Sequence, residues 1–220
     1  MATERRKKIL IVDDHPIFCL GMSELINKAE DLVVCGSEDT HKKAIHAIKE
    51  LRPDLVIADI SLKESSGIDL IQDIGSRFQG LPVLVVSMYD ESLYAERALL
   101  AGARGYLMKQ EAIPVAVEAI HQVLDGKLYA SDKVKEKVFQ RLMSPNAPVD
   151  TSPLDQLTGR ELEVFRYIGE GMSTREIASR MKLSIKTIGT YRERIKEKLN
   201  LKHYTELVKV AVYWLQKASK

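Results

Sequence analysis

Along the first 125 residues, short runs rich in Val, Ile and Leu alternate with segments whose apolar residues recur at helical spacing. The runs are KILIVD (8–13), LVVCGS (32–37), DLVIAD (54–59), PVLVVS (82–87) and ARGYLM (103–108), all of strand length. The helical segments span 18–28, 41–51, 67–78, 91–100 and 114–124. Strands that are apolar at nearly every position are covered on both faces, and strands alternating with helices build parallel sheets. The pattern predicts an α/β domain with a five-stranded parallel, doubly wound sheet.

Beyond residue 154 the period is helical throughout. A helix over 159–170 ends at Gly171, a favoured stop. Ser173 and Glu176 have capping-box spacing at the start of a second helix, with Ile177, Ala178 and Met181 as its apolar contacts. After a turn at Lys182 and Leu183, Ser184 caps a third, so two short helices meet at a tight turn, the helix-turn-helix pattern. A last helix carries Tyr204, Leu207, Val208, Ala211, Val212 and Leu215 on one face. Between the halves, RLMSPNAPVDTSPLDQLT holds three of the chain's seven prolines. The expected division is a domain over 1–127, a linker over 128–153 that includes a helix at 131–142, and a small all-α domain over 154–220.

With about 100° per residue, Ile188, Ile195 and Leu199 fall in one stripe of the third helix and pack inward. Lys186, Thr190, Glu193 and Glu197 face the opposite way, with Gly189 and Arg194 on the flanks. Gly189 costs about 1 kcal/mol relative to Ala inside a helix, which suggests close backbone approach to a ligand unless the defect is simply tolerated.

Charge sharpens the division. Residues 158–220 carry 14 Lys and Arg against 7 Asp and Glu, while the other 157 residues carry 19 against 24. The small basic half is a candidate for binding a polyanion. No apolar run approaches the roughly 18 residues of a transmembrane helix, and MATERRKK leads into ILIV without a signal-type cleavage site. The expectation is a soluble cytoplasmic protein with no membrane partner. Cys19 and Cys35 lack metal-ligand spacing and read as small hydrophobes.

In an open α/β sheet, ligands bind beyond the carboxyl ends of the strands. Asp13 and Asp14 close the first strand, Asp59 the third and Ser87 the fourth, and Lys109 follows the fifth. Clustered carboxylates repel one another unless a cation such as Mg²⁺ is bound, and an ionised Asp is a competent nucleophile towards phosphorus. Singly, each of these residues is as readily a turn former or a solvated side chain. Their joint placement after four strands points to phosphoryl chemistry. His15, beside Pro16, is assigned to the turn into the first helix.

Residues 8–125 resemble the receiver domain of two-component response regulators through VDDHP, IAD followed by SLKESSG, VVSMYDE and AGARGYLMK. The resemblance implies that Asp59 accepts a phosphoryl group from a sensor histidine kinase and that Asp13, Asp14, Asp59 and the Ser61 carbonyl bind Mg²⁺. It further implies that Lys109 contacts the phosphoryl group, that Ser87 moves to bond it, and that Tyr106 is a coupled aromatic switch. Leu62, Lys63 and Glu64 stand where the family usually has Met-Pro-Gly, and Lys63 and Glu64 are expected to border the pocket.

Residues 154–215 resemble the LuxR-type helix-turn-helix domain through LTGRELEV, GMSTREIA and LSIKTIGTY, and the two domains in this order resemble the NarL/FixJ subfamily. This implies a transcription regulator whose recognition helix, 184–199, enters promoter DNA. Gly189, Thr190 and Glu193 then face bases, while Lys186, Thr187, Arg194 and Lys198 lie on or near phosphates. Two of the base-facing positions are often basic in the family; here they are Gly and Glu. Glu193 therefore either accepts from a cytosine amino group or stays solvated. Further implied partners are a second copy of the chain, paired on activation or on DNA, and RNA polymerase. The rival is a phosphohydrolase acting through Asp59. Against it, Ser61 stands where a second catalytic acid belongs, and neither GxxxxGK[ST] nor GxGxxG occurs. The expectation is no enzyme beyond the receiver's own phosphoryl transfer and dephosphorylation.

Overall fold

The computed structural model describes residues 5–62, 66–89, 91–143 and 153–218. Lys63, Glu64 and linker residues 144–152 lie outside the described residues. The chain divides into two compact units, 1–145 and 146–220.

In the first unit the order is β1 (Lys7–Val12), α1 (Pro16–Asn27), β2 (Leu32–Glu38), α2 (His41–Leu51), β3 (Leu55–Ala58), α3 (Gly67–Arg77), β4 (Val83–Ser87), α4 (Glu91–Leu100), β5 (Gly105–Met108), α5 (Lys109–Leu124) and α6 (Asp132–Met143). All neighbouring strands are parallel, in the order β2-β1-β3-β4-β5. Ile9, Ile11, Ile57, Leu84 and Val86 face a core closed by Met22 and Ile26 of α1 and by Ala112, Ala116 and Ile120 of α5. The alternate positions Leu10, Val12, Val56 and Val85 are buried on the opposite face. The winding reverses between β1 and β3, which leaves a crevice at their carboxyl ends.

Two elements differ from the sequence expectation. The apolar pattern starts the fifth helix at Pro114. Instead α5 begins at Lys109 and carries Pro114 inside it. Burial of Ala112, Ala116, Ala119, Ile120 and Val123 outweighs the one hydrogen bond that proline cannot donate. Lys109 is thereby fixed on a helix directly after β5. The second difference is α6, which belongs to the first unit, packing against α4 with Val134 and Val138 buried. The segment leading to it hydrogen-bonds along β5: Tyr106 N donates to Tyr129 O at 2.8 Å, and Tyr129 N to Arg104 O at 3.0 Å.

The second unit contains a 3₁₀ turn (Pro153–Gln156), α7 (Gly159–Gly169), α8 (Thr174–Met181), α9 (Ile185–Lys198) and α10 (Tyr204–Ala218). Thr158 with Glu161, and Ser173 with Glu176, form complete capping boxes. Ser184 caps α9 by accepting from Thr187 N at 3.0 Å. The turn between α8 and α9 is made by Lys182 in the left-handed region, φ 54°. Phe165, Ile168, Ile177, Met181, Ile188, Ile195, Leu207 and Ala211 form the buried interior. No described helix is long and apolar enough to cross a membrane.

Candidate functional site

At the β1/β3 crevice Asp13 is 4 % and Asp59 2 % exposed, and Lys109 reaches both. Its Nζ lies 2.5 Å from Asp13 Oδ2 and 2.8 Å from Asp59 Oδ2, and stands over the Phe18 ring at 4.5 Å. Asp13 follows β1, Asp59 follows β3 and Lys109 opens α5, so three separate elements fix this triad. Ser61 sits beside it, its N–H donating to Asp59 Oδ1 at 3.3 Å. Ser87 ends β4 fully buried, and its Oγ accepts from Tyr89 N at 3.4 Å. The Tyr106 ring is also buried, with its hydroxyl donating to Tyr89 O at 2.9 Å, while Tyr89 stacks on Tyr94. Through its backbone bond to Tyr129, Tyr106 is joined to the segment that enters α6.

His15 was read as a turn residue, and it is the N-cap position of α1. Its ring, however, also joins the carboxylates. Nδ1 lies 2.9 Å from Asp13 Oδ1, 3.1 Å from Asp14 Oδ1 and 3.9 Å from Asp59 Oδ2. Ligand atoms of Asp13, Asp14, His15 and Asp59 all fall within 4.8 Å of one another. Its position directly after two aspartates was the available sequence signal.

The electrostatics follow from two buried carboxylates, Asp13 and Asp59, sharing one ammonium. Burial opposes the charge on Lys109, but Asp59 and Asp13 outweigh it and push the ammonium's pKa up. Burial raises Asp59 against the pull of Lys109, and the Asp13 charge adds to the rise. Both directions express the same imbalance: negative charge exceeds positive charge in a site with little water. A hard divalent cation with oxygen ligands fits that donor set.

In the second unit, Lys186, Thr190, Glu193, Glu197 and Arg194 are exposed on α9, whereas Ile188 and Ile195 are fully buried. Thr187 Oγ1 pairs with Ser184 Oγ at 2.8 Å, and Thr190 Oγ1 donates to Lys186 O at 3.2 Å. Glu193 is paired with Lys196 at 2.8 Å. Lys198 points elsewhere: its ammonium lies 2.6 Å from Glu161 Oε2 on α7. Sequence reading did not find that pair, because it joins positions far apart in the chain. Arg192, also missed, ties three helices together. Its guanidinium covers the Tyr204 ring at 3.7 Å, and its Nη1 donates to Thr174 Oγ1 at 2.9 Å.

Two family models match, the response regulator receiver domain over residues 9–121 and the LuxR family of bacterial regulatory proteins over 155–211. The chain belongs to the NarL/FixJ group of response regulators. It is 31 % identical over 205 residues to the response regulator GacA of Pseudomonas aeruginosa, covering 93 % of this chain and 95 % of that one. It is 33 % identical over 204 residues to the virulence regulator BvgA of Bordetella pertussis, covering 93 % and 96 %. Among solved structures, a DNA complex of the response regulator RcsB superposes with a TM-score of 0.56 at 25 % identity, over 93 % of this chain and 97 % of that one. An RcsB structure from Salmonella typhimurium reaches 0.63 at 23 % identity, over 95 % and 98 %.

This response regulator therefore joins a receiver domain carrying an acidic cluster to a LuxR-type DNA-binding domain. In the latter, Glu161 does more than cap α7. It is 2 % exposed, accepts from Thr158 N at 2.7 Å and holds Lys198 of α9. Burial opposes its charge, but Lys198 and Thr158 outweigh burial and lower its pKa from the usual 4.5. A carboxylate lowered by folding stabilises fully above the unfolded value, and that contribution fades as pH falls through the folded one. Glu161→Gln is expected to cost this unit about 2 kcal/mol at neutral pH, with the deficit closing below about pH 4. Urea unfolding followed by Trp214, the chain's only tryptophan, measures it. Equal loss at both pH values would assign Glu161 to capping alone.

Proposed function

We propose that this regulator is a cytoplasmic protein switched by phosphorylation of Asp59 from a sensor histidine kinase, and that the switch controls promoter binding through α9. The observation that carries the reading is the Asp59 carboxylate held at the β1/β3 crevice between Lys109 and the Asp13–Asp14 pair. An Asp59 oxygen attacks phosphorus, the bond to the kinase imidazole breaks, and its electron pair leaves with the ring nitrogen. Lys109 stabilises the incoming oxygens, and the Ser87 hydroxyl leaves the Tyr89 N–H to bond one of them. Asp13, Asp14, Asp59 and the Ser61 carbonyl would hold Mg²⁺, which supplies further charge neutralisation of the phosphoryl group. The chain catalyses only its own phosphoryl transfer and dephosphorylation, with Ser61 standing where a phosphohydrolase needs its second acid.

On DNA, Lys186, Thr187 and Arg194 lie towards phosphates, and Gly189, Thr190 and Glu193 towards bases. One small helical domain binds weakly, so specific affinity takes two copies on half-sites about one helical turn apart. RcsB, of similar fold, has been solved as dimers bound to DNA. RNA polymerase is the natural further partner of such a regulator. Incubation with acetyl phosphate and Mg²⁺ is expected to label the wild type with a single phosphoryl group and to leave Asp59→Asn unlabelled. Undiminished labelling of that variant would move the acceptor elsewhere and sink the reading.

A further inference from the structure

We infer that the N-terminal half of α9 carries an apolar notch, formed by Ile185, Gly189 and the Thr190 methyl, that recognises a thymine C5-methyl group in the major groove. The inference rests on the reading of α9 as the groove-entering helix, and it adds the base that this helix selects.

Ile185 is the first residue of α9 and is 53 % exposed, whereas the helix's other isoleucines, Ile188 and Ile195, are fully buried. It is therefore an apolar side chain outside the interior, at the end of the helix from which helix-turn-helix proteins reach base edges. Gly189 lies one turn further along the same ridge. A Cβ built there meets nothing within 4 Å, so the domain's own packing does not demand glycine. Its effect is outward, a bare strip of backbone that lets a base edge come closer. Thr190, beside it, has its hydroxyl tied back to the Lys186 carbonyl at 3.2 Å, which leaves the methyl as the group it offers.

Hydrocarbon thus stands on either side of the bare backbone at Gly189, with Ile185 one turn before it and Thr190 next to it, while Lys186, one turn before Thr190, and Arg194, one turn after it, carry the charges to hold phosphates. Among major-groove base edges only thymine carries an apolar group, its C5-methyl. Any other base would leave amino or carbonyl groups desolvated against the notch without a partner. 5-Methylcytosine shares the methyl but differs at its exocyclic group.

The test uses the full chain and a duplex selected from random sequence. Each thymine is replaced in turn by deoxyuridine, which removes the methyl and leaves the hydrogen-bonding edge unchanged. At one or two positions per half-site the affinity is expected to fall roughly four-fold, the worth of one buried methyl. Ile185→Ala should weaken binding to the thymine duplex and abolish the thymine–uracil difference at that position. Gly189→Ala should shrink the same difference while Trp214-monitored stability stays level or rises, since alanine favours helix and meets no neighbour. Lys186→Ala, by contrast, should weaken both duplexes equally. If Ile185→Ala lowers affinity equally on thymine and uracil duplexes, or if no uracil substitution matters, the notch is wrong while α9 still binds DNA. Selection of no specific duplex at all would overturn the groove-entering reading and the notch together.

Discussion

Lys109→Met is expected to destabilise the receiver unit by about 3–5 kcal/mol at neutral pH without divalent cation, the usual cost of stripping the partner from a buried ionic group. Methionine keeps an unbranched stem of similar length but removes the ammonium, and with it the two carboxylate contacts and the cation–π contact over the Phe18 ring. Asp13 and Asp59 would be left facing each other, both nearly fully buried. Burial and the Asp13 charge already raise Asp59 above the usual 3.8, against the pull of Lys109, and removing that pull raises it further. A carboxyl raised by folding stabilises the native state while protonated and loses that contribution as pH rises through the folded value. The deficit should therefore shrink on acidification to about pH 5, and also on adding Mg²⁺ at neutral pH. Far-UV circular dichroism during urea unfolding follows both units and Trp214 fluorescence follows the second one alone, so the receiver transition is the part of the dichroism change that Trp214 does not share. A loss of equal size in all three conditions would show that Lys109 matters through packing alone.

Gly67→Ala should be the most disruptive glycine-to-alanine change among the described residues. A Cβ at Gly67 would stand 2.0 Å from the Asp59 carbonyl oxygen and 2.7 Å from Ile60 Cα. These are backbone atoms, so no rotamer change relieves the clash. The approach is close because the loop after β3 folds back on itself: Gly67 N donates to Ile60 O at 2.7 Å, and Ser61 bridges Ser66. Overpacking of this kind costs about 3 kcal/mol or more, and here the strain falls on the main chain of Asp59. Acetyl phosphate labelling should slow along with the loss of stability. Gly75→Ala is the matched control, since a Cβ there meets nothing within 4 Å inside α3, and it should stabilise by about 0.5–1 kcal/mol. Wild-type labelling and stability in Gly67→Ala would mean that the loop relaxes without involving Asp59.

Neither effect was visible before folding, although much of the site was. Strand ends bearing Asp13, Asp14, Asp59 and Ser87 could be placed because each followed a run apolar on both faces, and such runs have one architecture open to them. The buried face of α9 was legible for a similar reason: helical period alone separates Ile188 and Ile195 from Lys186, Thr190 and Glu193. Caps at Ser173 and Ser184 are local hydrogen bonds, and local sequence specifies them.

Tertiary structure decided what depends on distance through space. It extended α5 back to Lys109 past Pro114, because burial against the sheet outweighed a local proline signal. Two expectations shifted with the packing. His15 joined the carboxylates, and Lys198 of α9 paired with Glu161 of α7. Tyr129 came to pair with β5, so Tyr106 is bonded to the approach to α6. Periodicity tells which face of an element is buried, since that is a property of the element itself. Which atom meets which depends on how elements dock, and docking is set by packing shape and charge pairing between residues that the chain keeps far apart.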